Sequence, residues 1–184
     1  NIVILQIKGS QNIFDSMIEF KAQENISIVP ELSIKPDYLI HPFISGNKYR
    51  KLKYNLLEAK HLEHSKLLTF GGAYSNHIAA VAASGLKYGF STVGIIRGEE
   101  LLHNTGGNST LKFAQECGME LKFITREAYR DKSSTEFLSQ LKCDFGNFFL
   151  LPEGGTNDLA IKGCEEILTE EDAIFDYICC SVGT

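Results

Sequence analysis

No run of apolar residues in this 184-residue chain approaches the roughly 20 needed to cross a bilayer, so a membrane role is not expected. The opening Ile2-Val3-Ile4-Leu5 is too short, and too poor in basic flanks, for a signal peptide. The first residue is Asn1 and not methionine, which suggests trimming at that end. There is no C-x-x-C pair. The five cysteines, Cys117, Cys143, Cys164, Cys179 and Cys180, are odd in number and suggest neither a disulfide framework nor a metal site. Their use fits a reducing cytoplasm. Excess positive charge is also missing. The net charge of -5 disfavours nucleic acid or an anionic membrane as a partner. Neither internal repeats nor low-complexity segments occur.

What is present is ordinary globular composition, 43% hydrophobic and 22% charged, in a length that suits one domain or two small ones. From Lys66 onward, short β-rich runs alternate with helical patterns. Strands are expected at Leu67–Phe70, Thr92–Ile96, Glu120–Ile124, Asn147–Leu151 and Asp176–Val182, the last a buried strand carrying Cys179 and Cys180. Helices are expected over Asn76–Tyr88, from Asn108 or Ser109 to Cys117, from Ser133 or Ser134 to about Leu141, and over Asp158–Leu168. Ala79, Ala80, Ala82 and Ala83 suggest that the first of these helices packs closely on a sheet. Repeated strand–helix–strand units predict an α/β fold with a mostly parallel sheet covered on both faces. The first 45 residues are less periodic. A final strand followed by Gly183-Thr184 looks like the start of a phosphate-cradling turn, and we read the chain as truncated there.

Three segments carry chemistry. Ser45-Gly46-Asn47-Lys48-Tyr49-Arg50-Lys51-Leu52 places a lysine after a Gly-Asn turn and at the head of a helix. Burial or neighbouring positive charge favours the neutral, nucleophilic amine, and Arg50, Lys51, Tyr49 and Leu52 could supply both. Spacing alone does not choose between Lys48 and Lys51. Gly71-Gly72-Ala73-Tyr74-Ser75-Asn76-His77 puts three polar side chains where a helix begins. Ser75 or Asn76 is an ordinary N-cap by position. In a ligand role, the helix dipole would favour a carboxylate there. Asn76 could then bond a cofactor hydroxyl, Ser75 hold a substrate carboxylate or pass a proton, and His77 do either. Pro152-Glu153-Gly154-Gly155-Thr156-Asn157 is a strand-to-helix turn whose glycines would let backbone approach a ligand.

Together these segments, with Ile40-His41-Pro42, Pro152 to Gly163 and Ser181-Val182-Gly183-Thr184, resemble the pyridoxal-phosphate enzymes of the tryptophan-synthase-β fold type. The branch they resemble holds 1-aminocyclopropane-1-carboxylate deaminase and D-cysteine desulfhydrase. The resemblance runs from about residue 35 to the end. It implies two parallel-sheet α/β/α domains, with residues 1–52 and 145–184 in a larger cofactor domain, incomplete here, and residues 53–144 in a smaller one. It implies pyridoxal 5'-phosphate bound as an imine to Lys48, with Lys48 and Ser75 catalytic. Asn47, Asn76, Gly183 and Thr184 would bind cofactor, and Ser75, Asn76, His77, Gly154 and Gly155 would bind a small amino-acid substrate. A homodimer and a deaminase or lyase reaction releasing ammonia and a 2-oxo acid are implied too. A β-replacement enzyme and a non-catalytic pyridoxal-phosphate protein are the alternatives. One departure stands out: Lys35-Pro36-Asp37-Tyr38 lies where relatives often carry Lys-Arg-Glu-Asp. The aromatic residues that assist ring opening in the deaminase fall beyond Thr184.

Overall fold

The computed structural model describes residues 26–29 and 32–179, and the chain divides into two compact units. One unit holds the described residues up to Leu57 and those from Thr156 onward; the other is Glu58–Gly155.

In the first unit, β1 (Ile26–Val29) and β2 (Leu32–Ile34) form an antiparallel pair that the weak periodicity of this region did not predict. Helix α1 (Asn47–His61) follows, and its last four residues belong to the second unit.

The second unit is a four-stranded sheet, parallel as predicted. Its strands are β3 (Lys66–Gly71), β4 (Ser91–Arg97), β5 (Met119–Ile124) and β6 (Phe149–Leu151), in the spatial order β5-β4-β3-β6. The helices between them are α2 (Asn76–Tyr88), α3 (Ser109–Glu116), α4 (Arg126–Arg130) and α5 (Thr135–Phe145). Their boundaries obey local chemistry. Ser75, Asn108, Thr125 and Ser134 each cap a helix by accepting a backbone N–H through the side chain. Gly89 ends α2 in the left-handed conformation at φ 73°. Alternate residues of β3 face opposite layers. Leu68 and Phe70 join a core with Val93, Ile95, Tyr129 and Leu141, against which Phe137 and Leu138 of α5 pack. Thr69 and Gly71 face α2 instead: a methyl group on Gly71 would come within 2.5 Å of Ile78. Fully buried side chains such as Leu67, Leu68, Ile95 and Ile96 each contribute about 1.5–3 kcal/mol.

The chain re-enters the first unit through α6 (Asp158–Glu165), one turn shorter than predicted. Gly163 brings α6 against the backbone of α1. A Cβ at this position would stand 2.1 Å from the Arg50 carbonyl oxygen, closer than any atom pair allows. Gly163→Ala is therefore expected to push the helices apart and to cost about 1–3 kcal/mol, measured as a lower urea midpoint. A midpoint equal to the parent's would show that α6 does not need that approach.

The predicted strand over Asp176–Val182 is not confirmed. Asp176–Cys179 is irregular, and 180–182 lie outside the described residues. Tyr177 is 88% exposed and Cys179 is exposed as well, which corrects its reading as a buried thiol. An apolar sequence becomes a strand only when a neighbour takes its backbone N–H and C=O groups, and no strand among the described residues pairs with this one.

Candidate active site

The order β5-β4-β3-β6 creates a topological switch. From β3 the chain moves outward through α2 to β4 and through α3 to β5, then returns by α4 and α5 to β6 on the other side of β3. Crevices outside the carboxyl ends of strands at such a reversal are where α/β sheets bind ligands. Both glycine turns fall there, Gly71-Gly72 at the end of β3 and Gly154-Gly155 just after β6.

The structure brings Ser75, Asn76, His77, Gly154 and Gly155 to this one end of one sheet. Ser75 caps α2, its Oγ accepting the Ile78 N–H at 3.4 Å, a long bond that leaves the hydroxyl capacity for another partner. Asn76 is the first helical residue and is exposed. Tyr74 beside them is 79% exposed. His77 differs from its neighbours: it is 2% exposed, and its Nε2 lies 2.8 Å from Thr69 Oγ1. Thr69 in turn donates to the Leu151 carbonyl at 2.9 Å. Gly154 and Gly155 both have φ of 70°, in the left-handed region where a side chain is strained, so the turn needs glycine whatever binds beside it. Glu153 before it is held by Lys132 at 3.2 Å. Lys132 and Arg97 hold their cations over the buried Tyr129 ring, 4.7 and 5.6 Å from its centroid. Burial first, then the Glu153 carboxylate, push the Tyr129 phenol above its ordinary value.

Lys48, Asn47 and the predicted amine site belong to the first unit. Asn47 opens α1 and is exposed, and Lys48 lies in its first turn, half-buried. The two lysines that spacing left open are now distinct. Lys51 Nζ donates to Thr156 Oγ1 at 2.7 Å. Burial pushes the Lys48 ammonium below its ordinary value, and the charge of Lys51 adds to the effect against the Cys164 thiol. A depressed ammonium keeps more neutral amine at physiological pH.

The mounting of α1 was not legible in the motif. Arg50 binds the Asp37 carboxylate through two nitrogens, Nε at 3.2 Å and a terminal nitrogen at 3.0 Å, with Asp37 wholly buried. The Asp37 carbonyl also accepts the Gly46 N–H at 3.3 Å, so one residue fixes both the helix and the turn before it. Lys35 pairs with Asp172, again buried. Two charges of Lys35-Pro36-Asp37-Tyr38 thus have structural partners despite the departure from the family pattern. Asn55 and Asn157 exchange amide hydrogen bonds of 2.8 and 3.1 Å, while Asn157 caps α6. Sequence reasoning missed these pairs, and also Thr69. The only signal for Thr69 was a single polar residue inside Leu67-Leu68-Thr69-Phe70.

Gly183 and Thr184, the expected phosphate contacts, lie outside the described residues. Among the described residues no cluster of His, Cys, Asp and Glu could hold a metal ion, and no helix is long and apolar enough to cross a membrane.

No protein-family model matches the chain. Curated relatives do. A Thermotoga maritima protein provisionally named 1-aminocyclopropane-1-carboxylate deaminase is 33% identical over 159 residues, covering 82% of this chain and 49% of that protein. The bifunctional D-cysteine desulfhydrase/1-aminocyclopropane-1-carboxylate deaminase of Arabidopsis thaliana, a mitochondrial protein, is 29% identical, covering 80% of this chain and 38% of that one. A Yersinia pestis D-cysteine desulfhydrase is 27% identical, with 72% and 41% covered. A crystal structure described as an ACC deaminase homologue aligns with a TM-score of 0.59 at 26% identity, over 75% of this chain and 43% of its own. The chain spans about half the length, or less, of the relatives it matches.

Proposed function

The chain belongs to the 1-aminocyclopropane-1-carboxylate deaminase and D-cysteine desulfhydrase family, and from that premise we propose that the whole protein is a pyridoxal-phosphate-dependent deaminase or lyase. Its substrate is a small amino acid, and its products are ammonia and a 2-oxo acid. The observation that carries this reading is Lys48, an amine in the first turn of α1 whose ammonium form is disfavoured by burial and by Lys51.

The residues fit the cofactor chemically. A carbonyl cofactor needs a neutral amine to hold it, and burial together with the charge of Lys51 shifts Lys48 in that direction. The bound cofactor would supply an electron sink for carbanion chemistry at the substrate. Lys48 would hold it and would be the group that moves a proton at the substrate carbon. Ser75 Oγ, at the N-terminus of α2, would bind the substrate carboxylate, with the helix dipole favouring the anion. Asn76, exposed beside them, would bond the cofactor's ring hydroxyl. Asn47 would help seat the cofactor beside Lys48, and Gly183 and Thr184 would grip its phosphate. Gly154 and Gly155 would let backbone lie against the substrate. A homodimer working in a reducing cytoplasm is the setting we propose, with the first unit forming part of the larger cofactor domain.

The test is product analysis on the full-length protein loaded with pyridoxal phosphate. D-Cysteine should give sulfide, pyruvate and ammonia, or 1-aminocyclopropane-1-carboxylate should give 2-oxobutanoate and ammonia, unaffected by added thiol. Pyruvate that disappears in favour of a thioether when thiol is added would reassign the protein to β-replacement. A bound chromophore indifferent to every amino acid would mean no turnover at all.

A further inference from the structure

Thr69 sits at the junction of three elements. It is paired in register with Leu151, the last residue of β6, and is wholly buried. Its hydroxyl touches two atoms, the Leu151 carbonyl oxygen at 2.9 Å and His77 Nε2 at 2.8 Å. A hydroxyl has one proton to give. A carbonyl can only accept, so that proton goes to Leu151. The Thr69 oxygen must then accept from His77, and the proton of the imidazole must be on Nε2. A second ring proton would put a cation at the first turn of α2, where the helix dipole opposes it, on a side chain only 2% exposed.

We propose that Thr69 is a positioning residue that fixes His77 as the neutral Nε2–H tautomer and, through it, the spacing of the two glycine turns at the ligand end of the sheet. The relay runs from the first turn of α2, through β3, to the final carbonyl of β6. The Gly71-Gly72 turn opens α2, and the Gly154-Gly155 turn follows that carbonyl by three residues. In this arrangement His77 Nε2 is committed inward to Thr69 and does not touch substrate; it anchors the first turn of α2, which carries Ser75 and Asn76. That the turns face substrate rests on the function proposed above, but the tautomer does not.

The experiment uses the full-length protein labelled with nitrogen-15 at histidine, with the His77 signals assigned by their loss in His77→Gln. At neutral pH, Nε2 should show the shift of a protonated ring nitrogen and Nδ1 that of an unprotonated one. Thr69→Ser should keep this pattern, because the hydroxyl remains. Thr69→Val should lose it, and amide exchange should rise at least tenfold in both turns, residues 72–75 and 154–155, in that variant alone. A wild-type His77 that is protonated on Nδ1 overturns the proposal. So does a Thr69→Val protein with the wild-type tautomer, or with exchange unchanged in both turns. If Thr69→Val fails to fold, the wild-type tautomer and its retention in Thr69→Ser decide the matter. Absence of deaminase activity would defeat the functional reading and leave this result standing.

Discussion

Lys48→Ala should leave the full-length protein unable to link covalently to pyridoxal phosphate, while Lys51→Ala should still do so. The two lysines are three residues apart on one helix, and only the structure separates them. Lys51 is engaged with Thr156 Oγ1, a partner 105 residues away in sequence. Lys48 is the one whose charged form is penalised by burial, and Lys51 adds to the penalty by repulsion. Borohydride reduction followed by mass spectrometry reads the link directly: wild type and Lys51→Ala should retain the cofactor's mass, and Lys48→Ala should not. Turnover should fall in parallel. Removing a positioned general base costs about 10²–10⁴ in rate, and losing the attachment point as well puts Lys48→Ala at the far end of that range. Because Lys51 helps to depress its neighbour, Lys51→Ala should move the pH dependence of cofactor attachment upward without abolishing it. Should Lys51→Ala lose the linked mass and Lys48→Ala keep it, the assignment is reversed.

The second large effect is expected from Arg50→Met. This change leaves the Asp37 carboxylate sealed from water without its guanidinium, and breaking one half of a buried pair costs about 3–5 kcal/mol. Burial already pushes the Asp37 carboxyl up, against the hydrogen bonds and charge of Arg50, with a lesser contribution from Lys35. Without Arg50 the carboxyl rises further. A carboxyl whose pKa is higher folded than unfolded makes the folded state bind more protons. Its cost is therefore present above the folded pKa and relieved as the pH falls toward the ordinary carboxylate value of about 4. The variant should thus lose most stability near about pH 7 and regain part of it near about pH 5, read as urea midpoints at the two values. A loss identical at both would trace the damage to packing and not to the stranded charge. A loss under about 1 kcal/mol would show that the pair does not secure α1.

Much of the α/β unit could be read from the chain directly. Leu67–Phe70, Thr92–Ile96 and Glu120–Ile124 became β3, β4 and β5 with one or two residues added at their ends. Ser75 and Asn108 capped helices where their side chains predicted it. These features depend on contacts within a few residues, so a local pattern suffices to specify them. The Asp176–Val182 prediction failed for the opposite reason: apolar patterning is local, but a strand is completed by a neighbour.

The candidate site divides the same way. By itself the sequence determined which residue types stand at each turn: a lysine after Gly-Asn, Ser-Asn-His after Gly-Gly, and a second Gly-Gly after a strand. Tertiary structure alone decided what each of them is free to do. It tied Lys51 to Thr156 and left Lys48 as the depressed amine. It turned His77 inward onto Thr69 and joined Thr69 to Leu151, 82 residues away. It also set Asp37 beneath Arg50 and Asn55 against Asn157. Caps and turns are settled by the nearest few residues, whereas a buried polar group takes whichever partner the folded chain brings within about 3 Å, and sequence separation carries no record of that choice.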